Sequence, residues 1–218
     1  MNRYKKKVTL KDESKSHILP FDLPPKSKDI NLYLKENPPS RLDYSAIFNN
    51  SNPVEIEVGF GTGKFLMAAG KQFPETNFIG LEITRKMVHH VANQAFDNNL
   101  KNVMVVLCDG RLYMKHVVPA ASVNRVHVYF PDPWTKKKHL KRRVINQEFF
   151  DSTYSVLKPG GYLNFYSDHK EYFEYFLEEP KTFSLFKDTV EMGFYTPTSY
   201  EQKWTKEGRE IYRAVLQK

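Results

Sequence analysis

Val54-Glu55-Ile56-Glu57-Val58-Gly59-Phe60-Gly61-Thr62-Gly63 is the stretch on which the fold turns. Branched apolar residues alternating with acids over Val54–Val58 predict a strand. The glycines predict a turn whose backbone takes positive φ and approaches a ligand without a Cβ in the way. Lys64–Gln72 then carries helical spacing. The loop reads G-x-G-x-G, whereas the dinucleotide fingerprint needs G-x-G-x-x-G, and no Lys-Ser or Lys-Thr pair follows to make a Walker loop. A glycine loop alone specifies no ligand, so its surroundings decide.

Outward from this stretch the strand-turn-helix pattern repeats. Asn77–Leu81 ends at Glu82 and precedes a helical Lys86–Phe96. Val103–Leu107 ends at Asp109. Arg125–Phe130 ends at Pro131-Asp132, with a helix expected over Asn146–Leu157. Gly161–Tyr166, after a Lys158-Pro159-Gly160-Gly161 turn, ends at Ser167-Asp168. The alternation predicts an α/β fold with a mostly parallel central sheet and helices on both faces. The tail, Thr198–Lys203 and then Glu210–Leu216, is expected to close it with an antiparallel edge.

In open α/β sheets the ligand lies outside the carboxyl ends of the strands. An acid stands at or beside every such end: Glu57, Glu82, Asp109, Asp132 and Asp168. One strand-end carboxylate is ordinarily a helix N-cap, but five in register mark a site. Glu82, nineteen residues after Gly63, is placed to accept hydrogen bonds from both hydroxyls of a ribose. Asp109 is placed to accept from the amino group of an adenine edge.

Composition narrows the setting. The chain has 218 residues, one cysteine and a formal charge of +8, from 33 Lys and Arg against 25 Asp and Glu. That length supports a sizeable core without disulfide or metal staples. The lone Cys108 fits a reducing compartment. No run approaches the ~20 apolar residues of a membrane span, and the basic N-terminus lacks an apolar segment behind it. A cytoplasmic protein with no membrane partner is expected. Residues 1–52, punctuated by Leu19-Pro20, Leu23-Pro24-Pro25 and Asn37-Pro38-Pro39, read as a basic extension, and residues 53–218 as the main domain. Five cations fall within the first eleven residues. Six more, Lys136, Lys137, Lys138, Lys141, Arg142 and Arg143, fall within eight; without them, residues 53–218 are net −2. Polyanions are the expected partners.

That octet continues Phe130-Pro131-Asp132-Pro133-Trp134-Thr135. An isolated charge run is ordinarily a solvated face. Here a carboxylate held between prolines, an aromatic and six cations follow the fourth strand, where a base would be read and its phosphates held.

These residues resemble two nested groups. The glycine loop with Glu57, Glu82 and Asp109 is similar to the class I S-adenosylmethionine-dependent methyltransferases, which implies their Rossmann-like fold. The resemblance implies S-adenosyl-L-methionine as cofactor and S-adenosyl-L-homocysteine as its product, held by Glu57, Gly59, Gly61, Gly63, Glu82, Asp109 and Asp132. The run Phe130–Arg143 resembles the F-P-D-P-W-x-K-x-x-H-x-K-R-R signature of the bacterial tRNA (guanine-N7-)-methyltransferases. Ser167-Asp168 matches that family's T-D, with serine keeping the hydroxyl, and Thr198-Ser199-Tyr200-Glu201 matches T-x-F/Y-E. This implies transfer to N7 of guanine in tRNA, by family at position 46 in the variable loop, forming 7-methylguanosine. Asp132 is the candidate catalytic residue. Lys136, Asp168, Thr198, Ser199, Tyr200 and Glu201 are candidates for the substrate pocket, and Lys138, His139, Leu140, Lys141, Arg142 and Arg143 for RNA contact.

N7 carries an in-plane lone pair and no proton, so the transfer needs alignment and no general base. Two other readings stay open. Pro131-Asp132-Pro133-Trp134 superficially resembles the D-P-P-Y motif of enzymes that methylate exocyclic amino groups, although that motif places both prolines after the acid. A non-catalytic tRNA-binding protein on the same fold would show a damaged cofactor loop. His89 and His90 lack metal-ligand spacing, so no metal is expected. The assembly is expected to be a monomer or homodimer.

Overall fold

The computed structural model describes residues 8–21, 36–178, 184–189, 193 and 195–218. Its helices are α1 (Tyr44–Phe48), α2 (Lys64–Gln72), α3 (Arg85–Asp97), α4 (Gly110–His116), α5 (Gln147–Val156), α6 (Lys170–Glu178) and α7 (Ser199–Lys206). Its strands are β1 (Val54–Val58), β2 (Asn77–Glu82), β3 (Val103–Leu107), β4 (Val123–Tyr129), β5 (Leu157–Ser167), β6 (Lys187–Asp188) and β7 (Tyr212–Gln217). They form one sheet in the order β3-β2-β1-β4-β5-β7-β6. β1 through β5 run parallel to one another, while β7 runs antiparallel to both β5 and β6.

Parallel strands need cover on both faces because their crossovers place helices there. Alternate residues accordingly feed two cores. Ile56, Val58, Val126, Val128, Leu163 and Phe165 face α4, α5 and α6, meeting Met114, Phe149 and Phe176. Phe78, Val103 and Val105 face α2 and α3, meeting Phe65, Leu66, Val88 and Val91. The strand order reverses between β1 and β4, which opens a crevice at their carboxyl ends.

The expected α/β architecture and its strands are present, with two changes at the tail. Ser199–Lys206 is a helix, so Thr198–Lys203 supplies no edge strand. β7 is antiparallel as expected but lies inside the two-residue β6, which takes the edge. Within the N-terminal extension, residues 1–7 and 22–35, with four of the five leading cations and Leu23-Pro24-Pro25, lie outside the described residues. Ile18 pairs in parallel with Val105 on β3, and the Leu19 N–H donates to the Val105 carbonyl at 2.9 Å. Lys11 reaches Asp97 at 2.5 Å, and Leu10 and Ile18 pack on the α2–α3 core. Apolar contact and strand pairing together tie this part of the extension to the body of the sheet.

Candidate functional site

Glu57, the penultimate residue of β1, is 4% exposed, and its Oε2 pairs with no described group. Burial, and secondarily the charge of Glu82, pushes its carboxyl up to about 8, against a hydrogen bond from the Leu66 backbone. Glu82, at the end of β2, has both oxygens engaged: Oε2 accepts from the Gly61 N–H at 3.0 Å and Oε1 from the Thr84 N–H at 2.8 Å. The second strand therefore fixes the glycine loop of the first.

The loop glycines divide their work. Gly59 and Gly61 take φ of 79° and 52°, and a Cβ on either would meet nothing within 4 Å, so both border open space. A Cβ on Gly63 would lie 2.4 Å from Val91 Cγ2 on α3. Gly63 thus permits helix packing, while the other two leave room for a ligand. Ile83, 72% exposed beside Glu82, adds an apolar surface at the same lip. Sequence reasoning missed it, although an apolar residue directly after a strand-end acid was the available signal.

Asp109 caps α4 by accepting from the Arg111 N–H at 3.0 Å, and it also binds the Arg111 side chain, Nη2 to Oδ2 at 2.7 Å. The ordinary N-cap reading holds for this residue, which stands just beyond the carboxyl end of β3. Part of its acceptor capacity is already committed within the protein.

After β4 the chain turns through Phe130 and Trp134, whose φ of 53° and 42° are left-handed for bulky residues. Each such residue costs about 1–3 kcal/mol and persists only where neighbours over-determine it. The Phe130 N–H donates to the Tyr166 carbonyl at 2.8 Å. Between the two residues, Asp132 projects as an exposed carboxylate flanked by prolines. The basic octet continues as a 3-10 turn, Lys137–Arg142; Lys137, Lys138, Leu140, Lys141 and Arg142 within it and Lys136 just before it are exposed. Trp134 packs against its own sequence neighbours, with the Arg142 guanidinium carbon 5.0 Å from its ring centre and the His139 ring edge-on at 5.5 Å. Arg143, expected among the phosphate contacts, is instead buried, 8% exposed.

Asp168 follows β5 with Arg209 3.7 Å away. Glu201, buried on α7, binds Arg213 at 2.6 Å and accepts from the Tyr195 hydroxyl, while its own N–H is capped by Thr198 Oγ1 at 3.1 Å. Ser199 and Tyr200 begin the same helix; their side chains lie outside the described residues. The matched T-x-Y-E residues thus form a helix start whose acid faces β7.

Beneath these groups lies a polar layer that sequence reasoning did not find. His127 is buried, with Nε2 2.8 Å from Glu55 and Nδ1 2.8 Å from the Tyr129 hydroxyl. Burial holds its pKa below the usual histidine value, against the pull of Glu55. The Tyr129 ring meets Tyr166 at 4.9 Å and Tyr195 at 5.1 Å, making an aromatic floor where β4 and β5 end. Arg125, His127 and Tyr129 recur at period two, which was the signal available. Among the described residues no group of His, Cys, Asp or Glu could hold a metal ion, and no helix is long and apolar enough to cross a membrane.

A Rossmann-like sheet thus carries an open glycine loop, a strand-two acid fixed by two backbone donors and an aspartate held between prolines, all at the carboxyl ends of its strands. The model of a family described as putative methyltransferase matches residues 51–214. Among solved structures, the fold is shared with the aminoglycoside resistance methyltransferase NpmB1, at TM-score 0.56 and 16% identity over 78% of this chain and 89% of that one. It is shared also with the antibiotic-resistance methyltransferase Kmr, at TM-score 0.56 and 16% identity over 80% and 90%. The tRNA (guanine-N7-)-methyltransferase of Streptococcus mutans is 31% identical over 78% of this chain and 83% of its own length. Those of Pseudomonas putida and Bacillus subtilis are 35% and 32% identical, each over 80% of this chain and over 73% and 84% of their own lengths. The chain belongs to the tRNA (guanine-N7-)-methyltransferase family.

Proposed function

We propose that this protein transfers a methyl group from S-adenosyl-L-methionine to N7 of guanine in tRNA, forming 7-methylguanosine, and that the acceptor is the guanine at position 46. The observation that carries this reading is a juxtaposition across one crevice. The glycine loop with Glu57 and Glu82 sits at the end of β1 and β2, and the Asp132 loop with its exposed cations sits at the end of the adjacent β4.

The residues present fit the cofactor. Glu57 offers a cationic group a buried carboxyl oxygen with no partner among the described residues, and Gly59 and Gly61 leave the space above the loop open. Glu82 is oriented by two backbone donors, with carboxylate lone pairs left for a diol. Ile83 offers an apolar face to a purine, and Asp109 an acceptor to its amino group. When bound, S-adenosyl-L-methionine supplies an electrophilic methyl on a sulfonium.

The chain's own work is placement. Asp132 and Asp168 are acceptors for the N1–H and N2–H₂ edge of guanine, and their charge favours the cation that N7 becomes. Lys136 reaches the substrate, while Lys138, Lys141 and Arg142, all exposed, meet phosphates. His139 and Leu140 belong to the same surface turn. Glu201, already bonded to Arg213, orders the α7 side of the pocket with Thr198. No side chain has to remove a proton.

The test is tritiated methyl transfer onto unmodified tRNA followed by nucleoside identification. Label in 7-methylguanosine is expected, and its loss from a transcript that carries adenosine at nucleotide position 46 locates the acceptor. Label in N6-methyladenosine with none in 7-methylguanosine overturns the reading.

A further inference from the structure

Six cations in one octet invite one role for all six, yet Arg143 differs from the rest. Lys136, Lys137, Lys138, Lys141 and Arg142 are exposed, whereas Arg143 is 8% exposed. Its guanidinium carbon lies 4.7 Å from the ring centre of Tyr172 and 4.8 Å from that of Tyr175, two residues one turn apart on α6. Its Nε–H donates to the carbonyl of Pro133 at 2.8 Å. Nearby, the Ile145 N–H donates to the Tyr172 hydroxyl at 3.3 Å, so α6 holds this strand of chain at two points.

We propose that Arg143 is a positioning residue for the Asp132 loop and not a phosphate contact, its guanidinium fastening the Pro133 carbonyl to the Tyr172 and Tyr175 rings of α6. Pro133 follows Asp132 directly and precedes the left-handed Trp134, so its carbonyl is the handle on a loop that both ends strain. A planar guanidinium suits the task because it presents its edge to a carbonyl and its faces to two rings at once. A lysine ammonium is a point charge and does one or the other. The proposal rests on the function assigned above only in taking Asp132 to act on the substrate.

The test compares Arg143→Met and Arg143→Lys in a Trp204→Phe background, where Trp134 is the remaining tryptophan and its emission reports the loop. Single-turnover methyl transfer at saturating tRNA and cofactor is measured beside tRNA affinity across a salt series. For Arg143→Met the transfer rate is expected to fall about 10- to 100-fold, as displacement of a reacting group by about 1 Å does. Trp134 emission should shift, with tRNA affinity within about twofold of the parent and an unchanged salt slope. Arg143→Lys should resemble the Met variant more than the parent. The idea is overturned by a salt slope reduced by about one unit, the mark of one lost phosphate contact, with an unaltered rate at saturation. It is equally overturned if lysine restores both rate and emission. Should Arg143→Met not fold, Tyr175→Leu removes one wall of the clamp and must show the same pattern at smaller size; parental rate and emission there sink the proposal. Emission and salt slope do not depend on which atom is methylated, so a product other than 7-methylguanosine rejects the assigned reaction while leaving this test readable.

Discussion

The carboxylate of Glu82 at the end of β2 accepts the backbone N–H of Gly61 in the loop after β1, at 3.0 Å, and with its other oxygen accepts from Thr84 at 2.8 Å. One side chain therefore sets the shape of the glycine loop and presents an oriented acid to the same space. Substitution separates these uses from simple charge. Glu82→Gln has one acceptor oxygen where two are needed, so either Gly61 or Thr84 loses its partner. Hydrogen bonds to a charged group contribute about 1.5–3 kcal/mol, so S-adenosyl-L-methionine affinity measured by calorimetry should fall about tenfold to a hundredfold. Affinity equal to the parent would mean that Glu82 does not touch the ligand.

Glu57 predicts a pH dependence with a definite sign. Its carboxyl is raised to about 8 in the folded chain, against an ordinary glutamate value of 4.5. Between these values the folded state binds more protons than the unfolded one. The associated stability is full below about 4.5 and is lost as pH rises through about 8, at up to about 1.4 kcal/mol per pH unit. Thermal midpoints of the ligand-free protein should fall over that window, and Glu57→Gln should flatten the fall. A cationic ligand prefers the ionised carboxylate, so cofactor affinity should rise with pH and level off above about 8. An identical pH profile for Glu57→Gln would remove Glu57 from the site.

The loop glycines predict opposite phenotypes for one chemical change. Gly61→Ala places a methyl in open space at a left-handed φ of 52°. Stability should fall by about 1 kcal/mol, while cofactor binding should be lost. Gly63→Ala drives a methyl to 2.4 Å from Val91, and overpacking costs about 1–3 kcal/mol before backbone strain is added. Its thermal midpoint should drop further than that of Gly61→Ala. The reverse ranking would contradict the division of labour among these glycines.

The exposed cations predict a salt effect. Neutralising Lys138, Lys141 and Arg142 together should weaken tRNA binding and reduce the slope of log affinity against log salt by about 2–3, since each phosphate contact contributes roughly 0.7–0.9. Transfer at saturating tRNA should change less than binding. Filter binding across a salt series decides this, and parallel lines for the parent and the triple variant would exclude a phosphate rim here.

Much of the architecture was legible because it is written in period and punctuation. Strand-end acids at Glu57, Glu82, Asp109, Asp132 and Asp168 follow from alternation and turn residues along the chain, and they do stand along one rim of the sheet. What failed to read out shares a physical cause. The tail offered two short segments with strand-like content, but Ser199–Lys206 is a helix capped by Thr198 and tied to β7 through Glu201 and Arg213. Arg125, His127 and Tyr129 alternate in plain view, yet only the register of β4 against β1 and β5 brings His127 to Glu55 and Arg125 to Asn164.

The stretch from Val54 to Gln72 by itself determined a strand, a glycine turn with positive φ and a helix, because backbone sterics and hydrophobic period are local properties. With Phe130 to Arg143 it also determined the chemistry to look for. Tertiary structure alone decided which glycines border open space and which faces Val91, which backbone donors engage the two oxygens of Glu82, and which of the six cations in the octet turns inward. Those outcomes depend on what a second element places opposite each residue. In the octet, side chains of like charge are equivalent until α6 brings two tyrosine rings to one of them.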